Sequence, residues 1–304
     1  MARVDAARRS TPLAFFAAFA AFSFSLLRCT SFANLHQPDD GGASPRDGSV
    51  PTTDGPVASS EAGADGGDDG SSSSGGPCQA ANDYRSAVLA DKPYAYFRFE
   101  NDGGTVRDET GGVASCTPGS AVVSTPGVFS CSNAVQLADA GGSHLSCNGS
   151  FAFSGKAFSI EGWVFPEVID VDGYRRVATN QTTVNRSGYD LYVENGPQGK
   201  KLVFELYANG QDQCTNIATL ATGRWSYILA TYDGNQKTTL QVNDDATNDS
   251  TCGGGPGLGT QLTLGADTTR EAGHFMGKLD EIAFYPVVLP KARADAHFKL
   301  GPRP

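Results

Sequence analysis

The chain has 304 residues, with 37 glycines, only two methionines and a formal net charge of −10. An acidic balance of this size excludes nucleic acid as a partner, because phosphate backbones are bound by positive surfaces. The charge is uneven: residues 1–29 carry net +3 and residues 30–77 net −7, while residues 78–304 hold 18 basic and 24 acidic residues.

Arg3, Arg8 and Arg9 precede an apolar run from Leu13 to Leu27. A basic segment followed by a short apolar one is the pattern of a secretory signal, and this run is shorter than the ~20 residues a membrane-spanning helix needs. Leu26-Leu27-Arg28-Cys29 resembles a bacterial lipobox, although Arg28 stands where that pattern has a small residue. Lipidation would make Cys29 the mature N-terminus. Ser31-Phe32-Ala33 offers a competing signal-peptidase site that would release a soluble protein. The position of Cys29 directly after the apolar run, and the tether behind it, favour the lipoprotein. Residues 30–77 are Gly, Ser, Asp and Pro with few large apolar side chains. Such a segment cannot offset its chain entropy by burial and is expected to be disordered; its like charges extend it. The first 29 residues are thus expected to be a signal, residues 30–77 a linker, and residues 78–304 one folded domain.

Within that domain, Asn82-Asp83 can cap a short helix ending near Ala90, before Lys92-Pro93. Tyr94 to Glu100 alternates as a strand, and Asn101 to Gly112 is rich in turn residues. Ala134 to Ala138 is a short strand. Phe158-Ser-Ile-Glu-Gly-Trp-Val-Phe165 puts Phe158, Ile160, Gly162 and Val164 on one face and Ser159, Glu161, Trp163 and Phe165 on the other, the pattern of a strand in the middle of a sheet. Tyr189–Glu194, Lys201–Tyr207 and Cys214–Leu220 are further strands. Trp225 to Tyr232 is apolar on both faces, and Asp233-Gly234 marks a turn. Thr239–Val242, Leu262–Leu264 and Lys278–Tyr285 complete the strands, and Pro290 opens a last short helix, Lys291 to Lys299, ended by Gly301. Many strands at short spacing with almost no helix predict an all-β, antiparallel jelly-roll sandwich with short terminal helices.

Setting Cys29 aside for lipid leaves six cysteines, an even number in a secreted chain and a disulfide signal. Cys214 and Cys252 lie on late candidate strands. Cys116 and Cys131 bracket a loop of hairpin length, which leaves Cys78 to pair with Cys147 and pin the start of the domain.

Four motifs occur in a recognisable order. Tyr84 through Pro93-Tyr-Ala-Tyr-Phe-Arg-Phe-Glu100 resembles the opening of laminin-G-like jelly-roll domains in the concanavalin A-like lectin/glucanase superfamily, with Phe97 where Trp is usual. Phe158 to Val164 resembles their central strand. Trp225 to Gly234, then Leu240-Gln-Val242, resembles the strand, turn and short strand that follow. Gly277-Lys-Leu-Asp-Glu-Ile-Ala-Phe-Tyr285 with its trailing helix resembles their closing motif. The resemblance covers residues 84–301 and implies binding or adhesion.

Glucanases of that superfamily place carboxylates on alternate residues of one strand as acid and nucleophile. Here Glu161 stands alone, and Asp280-Glu281, being adjacent, are expected to point to opposite faces. The four histidines show no zinc-binding spacing. Aromatic stacking on a sugar is the remaining chemistry, and Trp163 and Tyr207, which share strand faces with Glu161 and Glu205, are the candidates. Tyr174 and Arg175 add a possible contact to a sugar or acid, against the plainer expectation that Arg175-Arg176 is a solvated turn. A structural calcium is expected at Asn101, Asp102 and Asp108, with Asp280 brought alongside because the first and last strands of such domains are neighbours. The sequence therefore predicts a secreted, envelope-tethered, non-enzymatic module for carbohydrate or another envelope component. A glycan-active enzyme with loop-borne carboxylates and a structural envelope protein with a protein partner are the alternatives.

Overall fold

The structure, a computed structural model, describes residues 78–100, 104–167, 173–196 and 199–303. Cys29 and the 30–77 segment lie outside the described residues. In chain order the elements are α1 (Gln79–Ala90), β1 (Ala95–Phe97), β2 (Val106–Arg107), β3 (Ser115–Pro118), β4 (Val123–Pro126), β5 (Asn133–Leu137) and β6 (Leu145–Asn148). There follow β7 (Phe158–Pro166), β8 (Arg175–Thr179), β9 (Gly188–Gly196), β10 (Gly199–Ala208), β11 (Gln211–Leu220) and β12 (Ser226–Tyr232). The chain closes with β13 (Lys237–Val242), β14 (Asn248–Thr251), β15 (Leu262–Leu264), β16 (Gly277–Tyr285) and α2 (Lys291–Leu300). Among the described residues no helix is long and apolar enough to cross a membrane.

The strands form two antiparallel sheets. The first runs β14-β13-β12-β7-β16-β5-β4, with β1 on β16; the second runs β11-β10-β9-β8-β15-β6-β3-β2. Alternation sorts the side chains. Phe158, Ile160 and Val164 of β7 meet Leu191, Leu202, Phe204 and Leu264 of the second sheet in the central core. The expected neighbouring of first and last strands holds, with Ala95, Tyr96 and Phe97 opposite Phe284, Ala283 and Ile282.

The other face of β7 is closed as well. Helices α1 and α2 lie over the outer face of the first sheet and make a second core there, containing Tyr84, Val88, Trp163, Tyr227, Leu229, Tyr285 and Phe298. Alternate residues of β7 hold successive points of the C-terminal segment. Ser159 Oγ donates to the Val287 carbonyl and accepts from Leu289 N–H, each at 2.8 Å. Glu161 accepts from the Tyr227 and Tyr285 hydroxyls and lies 3.1 Å from His297 Nδ1. His297 Nε2 lies 3.0 Å from Asp91, which also takes Arg293 at 2.9 Å. Trp163 stacks on Phe298, centroids 6.0 Å apart. Gly301 ends α2 for a steric reason: a Cβ there would sit 2.1 Å from the Trp163 ring, and its backbone is extended, not left-handed.

The disulfides bear out one expected pair and correct two. Cys214 bonds Cys252, linking edge strand β11 of one sheet to the segment just after edge strand β14 of the other. Cys116 bonds Cys147, not Cys131, and Cys78 bonds Cys131, not Cys147. The reason is topological. The chain after Cys116 does not fold back as a hairpin but crosses from the second sheet (β3) to the first (β4). Cys116 therefore meets its cross-strand partner Cys147, and Cys131 arrives beside the start of α1.

Trp163, expected at a ligand groove, is instead fully buried in the helix-side core. Its truncation to alanine should lower stability by about 3–5 kcal/mol, the range for large aromatic cores. An unfolding midpoint unchanged in Trp163→Ala would return this side chain to the surface.

Candidate functional site

Helices cover much of the outer face of the first sheet, leaving a groove of about 210 Å³ over Thr231, Thr239 and Asp249, whereas no helix lies on the outer face of the second. Its side chains are set by cross-strand register. Thr215 pairs with Glu205, Glu205 with Asp190, Asp190 with Thr179, and Thr179 with Thr263. Thr263 pairs with Ser146, and Ser146 with Thr117. Directly paired residues share a face, and the flanking Phe204, Leu206, Leu191, Leu262, Leu264 and Cys147 point into the core. Thr215, Glu205, Asp190, Thr179, Thr263, Ser146 and Thr117 thus form one unbroken polar row across seven strands.

One end of this face is dressed with aromatics and ion pairs. Arg176 Nε pairs with Asp190 at 3.0 Å. Glu205 accepts from the Tyr207 hydroxyl and, at 3.1 Å, from Thr215 Oγ1. The Arg186 guanidinium lies 4.1 Å from the Tyr207 ring centroid and reaches Asp212 at 3.3 Å. Tyr174 packs edge-on against Tyr192 at 4.9 Å, with Arg176 beside its ring.

Over Thr263, further along the row, lies a groove of about 270 Å³. Its walls are Thr183 from the loop after β8, Thr260 and Gln261 before β15, and Thr268, Thr269 and Arg270 from the turn after it. Thr268 Oγ1 donates to the Gln181 carbonyl at 2.8 Å, tying the turn to the loop opposite.

The sequence-chosen ligand residues separate in space. Tyr174 and Tyr207 do share this face. Tyr174 is 53% exposed and available for stacking, whereas Tyr207 is buried beneath Arg186, which a ligand would have to displace. Arg175 is a correction: it is buried, 2.7 Å from Asp139, with a hydrogen bond to the His274 carbonyl. The Arg175-Arg176 pair is a strand, β8, and not a solvated turn, because each guanidinium finds a carboxylate and a bulge follows Arg176. The polar row itself was invisible in the sequence, since its members are far apart along the chain and only register assembles them.

Two of the acids expected at a calcium site are committed to structure. Asp108 accepts from Tyr96 N–H and Thr110 N–H at 2.9 and 3.0 Å. Asp280 accepts from Val128 N–H and Glu281 N–H at 2.9 and 2.8 Å. Asn101 and Asp102 lie outside the described residues. Among the described ones no group of three or more His, Cys, Asp or Glu is placed to hold a metal, so a calcium site would have to be completed from those two. Asp280 and Glu281 do not point to opposite faces as plain alternation predicts. A bulge between Asp280 and Ala283, with Glu281 at φ 54°, breaks the alternation. Asp280 then reaches Val128, while Glu281 accepts from the Tyr96 hydroxyl and pairs with Arg98, both on the helix side.

Comparison with known proteins agrees with this architecture. The family model described as the concanavalin A-like lectin/glucanases superfamily, laminin G type, matches residues 139–293, more than half of the chain, and the protein belongs to that superfamily. No curated protein matches the sequence. Among solved structures, the binding domain of paraclostridial mosquitocidal protein 1 is similar at 18% identity and TM-score 0.51, covering 69% of this chain and 52% of that one. The botulinum neurotoxin serotype D ligand-binding domain, in complex with N-acetylneuraminic acid, is similar at 14% identity and TM-score 0.56, covering 70% and 52%. The serotype G binding domain is similar at 12% identity and TM-score 0.56, covering 69% and 51%. The chain spans about half the length of these structures, and at such identities the likeness is one of fold.

The buried ionisable groups give one sign of pH dependence. Burial, then the Glu281 charge, raises Asp280 well above the carboxylate range. Burial raises Glu281 to about 7 against the pull of Arg98, and Asp190 to about 6 against that of Arg176. His297 is also raised: burial opposes its charge, but the Glu161 hydrogen bond and the charges of Glu161 and Asp91 prevail. All four hold protons more tightly folded than unfolded, so stability falls as pH rises. His297 contributes fully below its unfolded value of 6.5 and loses that contribution as pH passes its higher folded value. The acids lose theirs from their unfolded values of 3.8 and 4.5 upward, through their folded ones. The urea midpoint should therefore be lower at about pH 8 than at about pH 5; a midpoint that climbs across that interval contradicts the assignment.

Proposed function

We propose that the protein is a secreted, surface-tethered, non-catalytic module that binds carbohydrate through the outer face of its second sheet. The observation that carries this is the seven-strand polar row, with a hydroxyl-lined groove over Thr263 and, separately on the same face, an exposed Tyr174. Hydroxyl, amide and carboxylate groups with a nearby aromatic are the means by which a rigid sheet holds a sugar. Membership in a lectin/glucanase superfamily supports the reading, as does the sugar held by the structurally similar serotype D domain. Three disulfides fit an oxidising, extracytoplasmic setting. Lipidation at Cys29 and a 30–77 spacer would present the domain away from the envelope.

Hydrolysis is the second reading, because strand pairing sets Asp190 directly beside Glu205. Both are engaged, however: Asp190 is buried under Arg176, and Glu205 is held by Tyr207 and Thr215. A glycan panel read for both binding and reducing-end release should show binding without cleavage. Release of reducing ends that Glu205→Gln abolishes would establish the enzyme instead. If no glycan binds, a protein partner becomes the better reading.

For the tether, Cys29→Ser should move the protein from the membrane fraction to the soluble one. A wild-type mature chain beginning at Asn34 would discard the lipid anchor. Calcium at Asn101, Asp102, Asp108 and Asp280 is proposed as structural only, and equal melting temperatures with calcium and with chelator would discard it.

A further inference from the structure

The groove over Thr263 differs in chemistry from the rest of the molecule. The chain carries 33 acidic against 23 basic residues, yet no carboxylate lines this groove. Five threonines, Gln261 and Arg270 do. Three of the hydroxyls are engaged by the protein: Thr260 with the Asn180 carbonyl at 3.3 Å, Thr268 with Gln181, and Thr269 with Asp267 at 2.6 Å. The Thr183 and Thr263 hydroxyls form no hydrogen bond among the described residues, and Thr263 is the floor. The lining contains no aromatic ring on which a sugar face could stack.

Arg270 is the one charged group in the lining. It is exposed and has no carboxylate within 4 Å among the described residues. The acid closest in sequence on its N-terminal side, Asp267, is turned back into its own loop, accepting from Thr269 Oγ1 and from Glu271 N–H at 3.3 Å. Arg270 sits at φ 67°, in the left-handed region that disfavours a residue with a Cβ. Its backbone is fixed on both sides, with Arg270 N–H donating to the Asp267 carbonyl at 2.9 Å and His274 Nε2 3.3 Å from the Arg270 carbonyl. A glycine would suit that geometry better, so the chain carries a guanidinium at a place where the backbone does not favour a side chain. Burial, then the charges of Arg270 and His274, disfavours the charged form of His144; the acids of this turn, Asp267 and Glu271, are not part of the groove lining.

We propose that this groove takes a sugar unit bearing an anionic group, a carboxylate or a sulfate ester, with Arg270 as its anchor and the Thr183 and Thr263 hydroxyls as its hydrogen-bonding partners. A guanidinium forks onto the two oxygens of either group, and the volume, just below the ~300–1,000 Å³ of drug-sized sites, suits one unit of a chain. The inference rests on the reading of this face as a glycan-binding surface.

Matched polymers test it with the full chain: polygalacturonate against its methyl ester, and dextran sulfate against dextran. Wild type should bind at least one charged member in preference to its neutral partner, more weakly as salt is raised. Binding to polygalacturonate alone identifies the carboxylate, and to dextran sulfate alone the sulfate. Arg270→Gln should weaken the charged ligand about tenfold or more, the scale of one lost charge-assisted pair, while leaving the melting temperature unchanged because the side chain is exposed. Arg270→Lys, which keeps charge but not the fork, should fall between. Charged-ligand binding that Arg270→Gln leaves intact overturns the proposal, as does preference for the neutral partner, and either result spares the broader reading. Failure to bind any glycan in the panel overturns both.

Discussion

The structure depends on one strand having no free face. One side of β7 lies against the second sheet, and the other carries Ser159, Glu161 and Trp163 into contact with the chain's last helix. Glu161 is the costly member, since a carboxylate so far from water must be met by donors or be destabilising by several kcal/mol. Two tyrosine hydroxyls from the neighbouring strands β12 and β16 and an imidazole from α2 meet it. That imidazole is in turn held by Asp91 at the end of α1. The helices are therefore part of the sandwich, and the Cys78–Cys131 bond fastens the first of them to the sheet it covers.

Covering most of one outer face narrows where recognition can happen. The edges are also partly closed: Cys214–Cys252 joins the two sheets along one side, and Asn216 Nδ2 adds hydrogen bonds to the Thr238 and Asn248 carbonyls there, at 3.3 and 2.7 Å. The broadest polar surface left uncovered by helix is the outer face of the second sheet. Its polar groups are partly spent on one another, as in Arg176 with Asp190 and Tyr207 with Glu205. Such pairs give a stiff surface whose geometry is set before any ligand arrives, which lowers the ordering cost of binding.

Long, strongly patterned elements were legible in the sequence: β7, β9, β10, β12, β16 and both helices. The strands it did not reveal, β2, β3, β4, β6, β8 and β14, are two to five residues long. They are rich in Ser, Thr, Asn and Arg, so periodicity has too few residues to act on. Trp163 was a groove candidate because it shares a strand face with Glu161, and a face of mixed polarity normally meets water; nothing local announces that two helices will cover it. The Asp280–Ala283 bulge likewise defeats alternation, and the pairings of Cys116, Cys131, Cys78 and Cys147 turn on a sheet crossover that spacing does not encode.

The same point explains how a polar row can be built from residues so scattered in sequence. Because side chains alternate, a slip of one residue at any pairing would carry part of the row into the core. Two disulfides stand at its ends. Cys116 and Cys147 are paired immediately beside Thr117 and Ser146, and Cys214 immediately precedes Thr215 and is tied to the opposite sheet. Between them the register is held by the apolar residues that alternate with the row, Leu262 and Leu264 around Thr263 and Phe204 and Leu206 around Glu205. The core thus does two jobs with one pattern: burying every second residue stabilises the sandwich and, by the same geometry, lines up the residues between them on the open face.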